Sequence, residues 1–66
     1  MQIYLNGEPR EIAEDTTLET LIHELALEGK RYAVEINAEI VPRAEHATRT
    51  LRAGEQVEIV QAIGGG

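Results

Sequence analysis

The sequence predicts an α+β fold, a mixed sheet of four to five strands with one main helix packed across one face. Three observations point there. Asn6-Gly7 separates two short strand patterns, Leu18, Leu21, Ile22 and Leu25 recur at helical spacing, and further short apolar stretches follow that stripe. A chain of 66 residues has room for one small domain, and a domain of that size buries only about 60% of the surface its unfolded chain exposes. A deep catalytic cavity is not expected of it.

Gln2-Ile3-Tyr4-Leu5 alternates, with Ile3 and Leu5 on one face of a strand and Gln2 and Tyr4 on the other. Asparagine and glycine both tolerate the positive φ of a type I′ turn, so Asn6-Gly7 reverses the chain. The return strand is expected through about Arg10-Glu11-Ile12, with Pro9 near its start, which makes residues 2–13 a hairpin. Thr16 and Glu19 fit a capping box at the start of the helix. The apolar stripe then runs from Leu18 to Leu25, and Leu27 falls off it. The helix is therefore expected to end near Leu25 or Ala26, with Leu27 folding back as the apolar contact that follows a C-cap. The rival is a helix that continues to Glu28 and is capped by Gly29.

Tyr32 to Ile36 reads as a strand, Asn37-Ala38 as a turn, and Glu39-Ile40-Val41 as a short partner that Pro42 stops. Residues Arg43 to Thr50 have no clear period, with room for one helical turn around Ala44–Thr48. Ala53-Gly54-Glu55 is a turn, and Gln56 to Ala62 is the last strand. A strand returning after the helix is expected to lie parallel to the first. Hairpin, helix, short strands and final strand form the order of the ubiquitin-like β-grasp. The domain is expected over residues 1–63, with 64–66 as a flexible glycine tail.

Six Lys+Arg against twelve Asp+Glu give a formal charge of −6. Such a chain is repelled by phosphate backbones, and 3% aromatic content leaves few stacking platforms, so nucleic-acid binding is not expected. The absence of cysteine removes disulfides, thiolate metal sites and thiol nucleophiles. No apolar run approaches the roughly 20 residues of a membrane helix, so no membrane partner is expected. The N-terminus lacks the basic start of a secretory signal, and the expected location is cytoplasmic.

The two histidines, His23 and His46, have no metal-ligand spacing, and no metal is expected. His23 falls on a solvated helix flank. Thr16, Thr17 and Thr20 suit capping and helix surface better than nucleophilic catalysis, and Gly29 and Gly54 are isolated rather than parts of a phosphate loop. That leaves Gly64-Gly65-Gly66. Without Cβ atoms such a tail is thin enough to thread a narrow channel and deliver its carboxylate to a reaction centre. A carboxylate is anionic at neutral pH and a poor electrophile, so a partner must activate it, for example as an acyl-adenylate.

Three segments carry a family resemblance: the Met-Gln-Ile start with Asn6-Gly7, the stretch from Val34 to Arg43, and the end from Gly54 to Gly66. Together they resemble the ThiS family, the bacterial sulfur carriers of thiamine biosynthesis. The resemblance implies a carrier rather than an enzyme, with no bound cofactor. An E1-like adenylyltransferase would use ATP to adenylate Gly66, and a persulfide-bearing sulfur donor would convert it to a thiocarboxylate. That group would then give its sulfur to thiazole synthase for the thiazole moiety of thiamine. Gly64 and Gly65 would thread the partner's channel. The residues alone leave open a carrier for molybdopterin, cysteine or tRNA thiolation, and a ubiquitin-like modifier. Lys30 is the only lysine, which leaves a single site for self-linked chains. A carrier that visits two enzymes also needs a docking face. Ile59 and Val60 are adjacent and point to opposite sides. If Ile59 packs under the helix, Val60 lies outside, beside Tyr4, and these two with Ile63 are the expected docking patch.

Overall fold

The computed structural model describes residues 1–61. Strand β1 (Gln2–Leu5) turns into β2 (Glu8–Glu11), and helix α1 (Leu18–Glu24) follows. Strands β3 (Tyr32–Ile36) and β4 (Glu39–Ile40), a 3-10 turn (Arg43–Glu45) and strand β5 (Gln56–Gln61) complete the described residues. The five strands form one sheet in the order β2-β1-β5-β3-β4. The helix lies across one face, and Leu18, Leu21 and Ile22 join Ile3, Val34, Ile36, Val57 and Ile59 in the core. This is the ubiquitin-like arrangement that the order of elements predicts.

The type I′ turn forms as expected, with Asn6 at φ 51° and Gly7 at φ 84°. Pro9 sits second in β2, an edge strand, where its missing donor costs no ladder bond on the open side. One expectation about direction is corrected. The strand that returns after the helix, β3, is not the parallel neighbour of β1; β5 is, with Tyr4 opposite Gln56 and Leu5 opposite Val57. The last strand holds the fully buried Val57 and, with Ile59, the inward apolar face that most needs cover. It therefore takes the centre of the sheet, and β3 runs antiparallel along its other side from Tyr32–Gln61 to Ile36–Val57.

The start of the helix is also shifted. Thr17, not Thr16, is the N-cap, and its hydroxyl accepts the Thr20 N–H at 3.2 Å. Glu19 therefore stands one position too early to close a capping box. Thr16 is buried and donates instead to the Ala13 carbonyl at 2.6 Å. The remaining N-terminal donors of the helix find partners in the segment after β4. Leu18 N–H donates to the Arg49 carbonyl and Glu19 N–H to the His46 carbonyl, both at 2.9 Å. Chain that has no period in sequence thus serves as the helix cap.

The helix ends where the apolar stripe ends. Leu25 is the C-cap, Ala26 N–H donates to His23 C=O at 3.0 Å, and Leu27 N–H donates to Ile22 C=O at 3.1 Å. These two bonds make a Schellman motif, and Leu27 packs back against the core. The motif needs a left-handed residue, and here an alanine supplies it at φ 58°. An L-residue pays roughly 1–2 kcal/mol for that conformation, whereas glycine adds roughly 0.5–1 kcal/mol of unfolded-state entropy. Ala26→Gly is therefore expected to stabilise the protein by about 0.5–1 kcal/mol, read as a higher urea midpoint. A lower midpoint would refute the account.

Candidate functional site

The expected reactive end, Gly66, stands five positions beyond Gln61, the last described residue. Gly64, Gly65 and Ile63, like Ala62 of the expected last strand, lie outside the described residues. What the structure places is the base from which they follow. Strand β5 is paired with β3 as far as Gln61, yet β1 accompanies it only to Val57. Past that point a side chain replaces the missing strand. Asn6 donates its backbone N–H to the Val57 carbonyl at 2.8 Å. Its Oδ1 accepts the Ile59 N–H at 2.9 Å, and its Nδ2 donates to the Ile59 carbonyl at 3.3 Å.

Asn37, in the second type I′ turn, holds the other side of β5. It exchanges backbone and side-chain bonds with Gln56, at 2.8 Å and 3.0 Å. The same residue type that makes each reversal therefore also clamps the strand that leads to Gly66. The local sequence points both asparagines to turns alone. The only signal was that Asn, unlike Gly, brings an amide able to mimic a peptide group.

The expected docking residues are placed in part. Ile59 faces inward and Val60 outward, 64% exposed and opposite Ala33. Tyr4 is on the same outer face but is not beside Val60. The parallel register sets Tyr4 opposite Gln56, four residues earlier in β5, so about 13 Å of strand separates the two. Ile40, 74% exposed on β4, is a further outward apolar residue, which the sequence pattern alone does not single out.

The histidines have other duties. His46 is buried, its Nε2 bonds to the Val41 carbonyl at 3.1 Å, and its ring stacks on Tyr32 with centroids 6.0 Å apart. Arg43 covers the Tyr32 ring at 4.4 Å. His23 is exposed and pairs through Nδ1 with Glu28. The Glu28 hydrogen bond, then the Glu28 and Glu24 charges, hold its pKa above the ordinary 6.5. Its own bond to Glu28 holds that carboxyl below the usual value. The raised histidine makes the pair stabilising at low pH and loses this as pH rises through its folded pKa. The lowered glutamate does the reverse as pH falls through its own. The pair thus acts between those two values. In an NMR titration His23 is expected to titrate above 6.5 and Glu28→Gln to bring it back toward 6.5; an unmoved midpoint would refute the pairing.

Among the described residues no group of three or more His, Cys, Asp or Glu side chains is placed to hold a metal. None of their helices is long and apolar enough to cross a membrane. Glu55, though buried, is a structural carboxylate: it accepts the Arg52 N–H at 2.7 Å and pairs with Arg49 at 2.6 Å.

The ThiS family model matches residues 3–66, the glycine end included. The chain belongs to the ThiS family. The sulfur carrier protein ThiS of Thermus thermophilus is 41% identical over 64 residues, which cover 97% of this chain and 98% of that protein. A thiazole synthase of Paramagnetospirillum magneticum is also 41% identical, over all 66 residues of this chain but only 20% of its own length. The chain thus spans about a fifth of the thiazole synthases that it matches. Among solved structures, the thiamine biosynthesis protein ThiS of Geobacter metallireducens superimposes with a TM-score of 0.84 at 29% identity, over the full length of both chains. The ThiS fold therefore carries the Asn6 and Asn37 clamps in this sequence.

Proposed function

We propose that this ThiS-family chain is a sulfur carrier for thiamine biosynthesis, a co-substrate that others regenerate and not a catalyst. The observation that supports this reading most is the family match that continues through Gly66. An E1-like partner binds ATP. The Gly66 carboxylate attacks the α-phosphorus, pyrophosphate leaves, and a glycyl adenylate forms. The terminal sulfur of a partner persulfide attacks the acyl carbon and AMP departs, leaving an acyl disulfide. A thiol reduces that S–S bond and frees the thiocarboxylate, which gives its sulfur to thiazole synthase. Gly64 and Gly65 present no Cβ to a narrow channel, and the chain itself binds neither nucleotide nor metal.

The test is intact mass after incubation with the E1-like enzyme, ATP and a sulfur source. Exchange of one oxygen for sulfur at Gly66 is the expected result, and an unchanged mass under conditions that load a known ThiS protein refutes it. Adding thiazole synthase and detecting thiazole phosphate distinguishes thiamine from other sulfur pathways. Docking is assigned to the outer face that carries Tyr4 and Val60, with Ile63 leading to the tail. Val60→Asp is expected to fold normally and bind the activating enzyme at least tenfold more weakly. Full affinity in that variant removes Val60 from the surface.

A further inference from the structure

The outer sheet face carries a pair of charges that the fold itself does not need. Glu35 of β3 and Glu58 of β5 stand directly opposite each other, and like charges in that position destabilise a sheet. These are inner strands of the sheet, so the pair does not guard an exposed edge. Ion pairs among the described residues engage Glu11, Glu24, Glu28 and Glu55, and none engages Glu35 or Glu58. The only basic residue within the strands, Arg10, registers with Ile3 on the helix side. Ile40 flanks Glu35 directly, and the exposed Val60 lies two residues beyond Glu58.

From this arrangement we infer that Glu35 and Glu58 together receive an arginine or lysine of thiazole synthase, with Ile40 and Val60 as the apolar flanks of the contact. The inference rests on the carrier reading and names the partner and its chemistry. Covering two neighbouring carboxylates without a cation would strand buried charge, so the occupant of this face must bring positive charge. Thiazole synthase is the choice among partners because relatives carry this same domain as a fifth of a thiazole synthase chain. In such a chain, contact between carrier and synthase has no dissociation to disperse it.

The experiment is titration of thiazole synthase with wild type and with the double variant Glu35→Gln, Glu58→Gln, at low and high salt, beside urea unfolding of both. Wild type is expected to bind with an affinity that falls steeply with salt. The double variant is expected to bind at least tenfold more weakly, with a flatter salt dependence and a stability equal to or above wild type. Equal affinity and salt dependence overturn the inference. So does a double variant less stable than wild type, since removing repulsion cannot unfold the sheet. Wild type that does not bind the synthase, or a defect confined to the adenylating enzyme, overturns it too. Oxygen-to-sulfur exchange at Gly66 in wild type is read separately by mass, and its failure would strike the carrier reading instead.

Discussion

Deleting Gly65 and Gly66 is expected to abolish sulfur transfer while leaving the melting temperature almost unchanged. The two halves of that result have separate causes. The truncated chain still ends in a glycine carboxylate, at Gly64, with the same intrinsic reactivity. It is shorter by two residues, a reach of about 7 Å. Reacting atoms must come within about 3–3.5 Å for attack, so a shortfall twice that size cannot be absorbed by small adjustments in a partner's channel. The core is built, in contrast, from residues well before the deletion. Every buried apolar side chain among the described residues lies between Ile3 and Ile59, and β5 is clamped by Asn6 at Ile59. Intact-mass analysis with the E1-like enzyme, ATP and a sulfur source reads the first half, and calorimetry the second. A large fall in melting temperature would mean that the end of the chain belongs to the folded core, and loading at Gly64 would mean that reach is not what the tail supplies.

The fold was legible wherever one residue type has one dominant local use. Asn-Gly can hardly do anything but reverse a strand, and the stripe Leu18, Leu21, Ile22, Leu25 can hide its apolar side only as a helix. Leu27, off that stripe, located the helix end better than Gly29 did, because the Schellman contact asks for an apolar residue just past the C-cap. Legibility failed where a side chain works at long range. The amide of Asn6 bonds to Ile59, 53 residues away, and nothing local to Asn6 announces it. The same holds for the parallel register, which alone separates Tyr4 from Val60. The Glu35–Glu58 pair lies 23 positions apart in sequence and meets only once β3 and β5 are in register. The glycine tail carried a functional signal in sequence for the opposite reason. Three successive residues offer a core no side chain to bury, so their presence in sequence asks for another explanation.

Leu51→Ala is expected to cost about 2–5 kcal/mol, the largest stability loss of any single change considered. Leu51 is 1% exposed in the main core although it directly follows a stretch with no sequence period. Its own N–H donates to the Thr16 carbonyl at 2.8 Å, and Thr50 beside it bridges Thr17. The side chain is thus the anchor that holds Arg43–Thr50 against the start of the helix, where His46 and Arg49 supply the carbonyls that cap Glu19 and Leu18. A domain of this length has roughly 3–10 kcal/mol of total stability, so the loss removes a large share of it. A cavity alone would weaken the whole core evenly. Loss of an anchor does more: the amides of Leu18 and Glu19 should lose hydrogen-exchange protection before those of Val34 and Val57 do. A midpoint shift worth less than about 1 kcal/mol would mean the segment is held by its hydrogen bonds rather than by Leu51. Uniform loss of protection across helix and sheet would leave Leu51 as core filler and deny it the capping role.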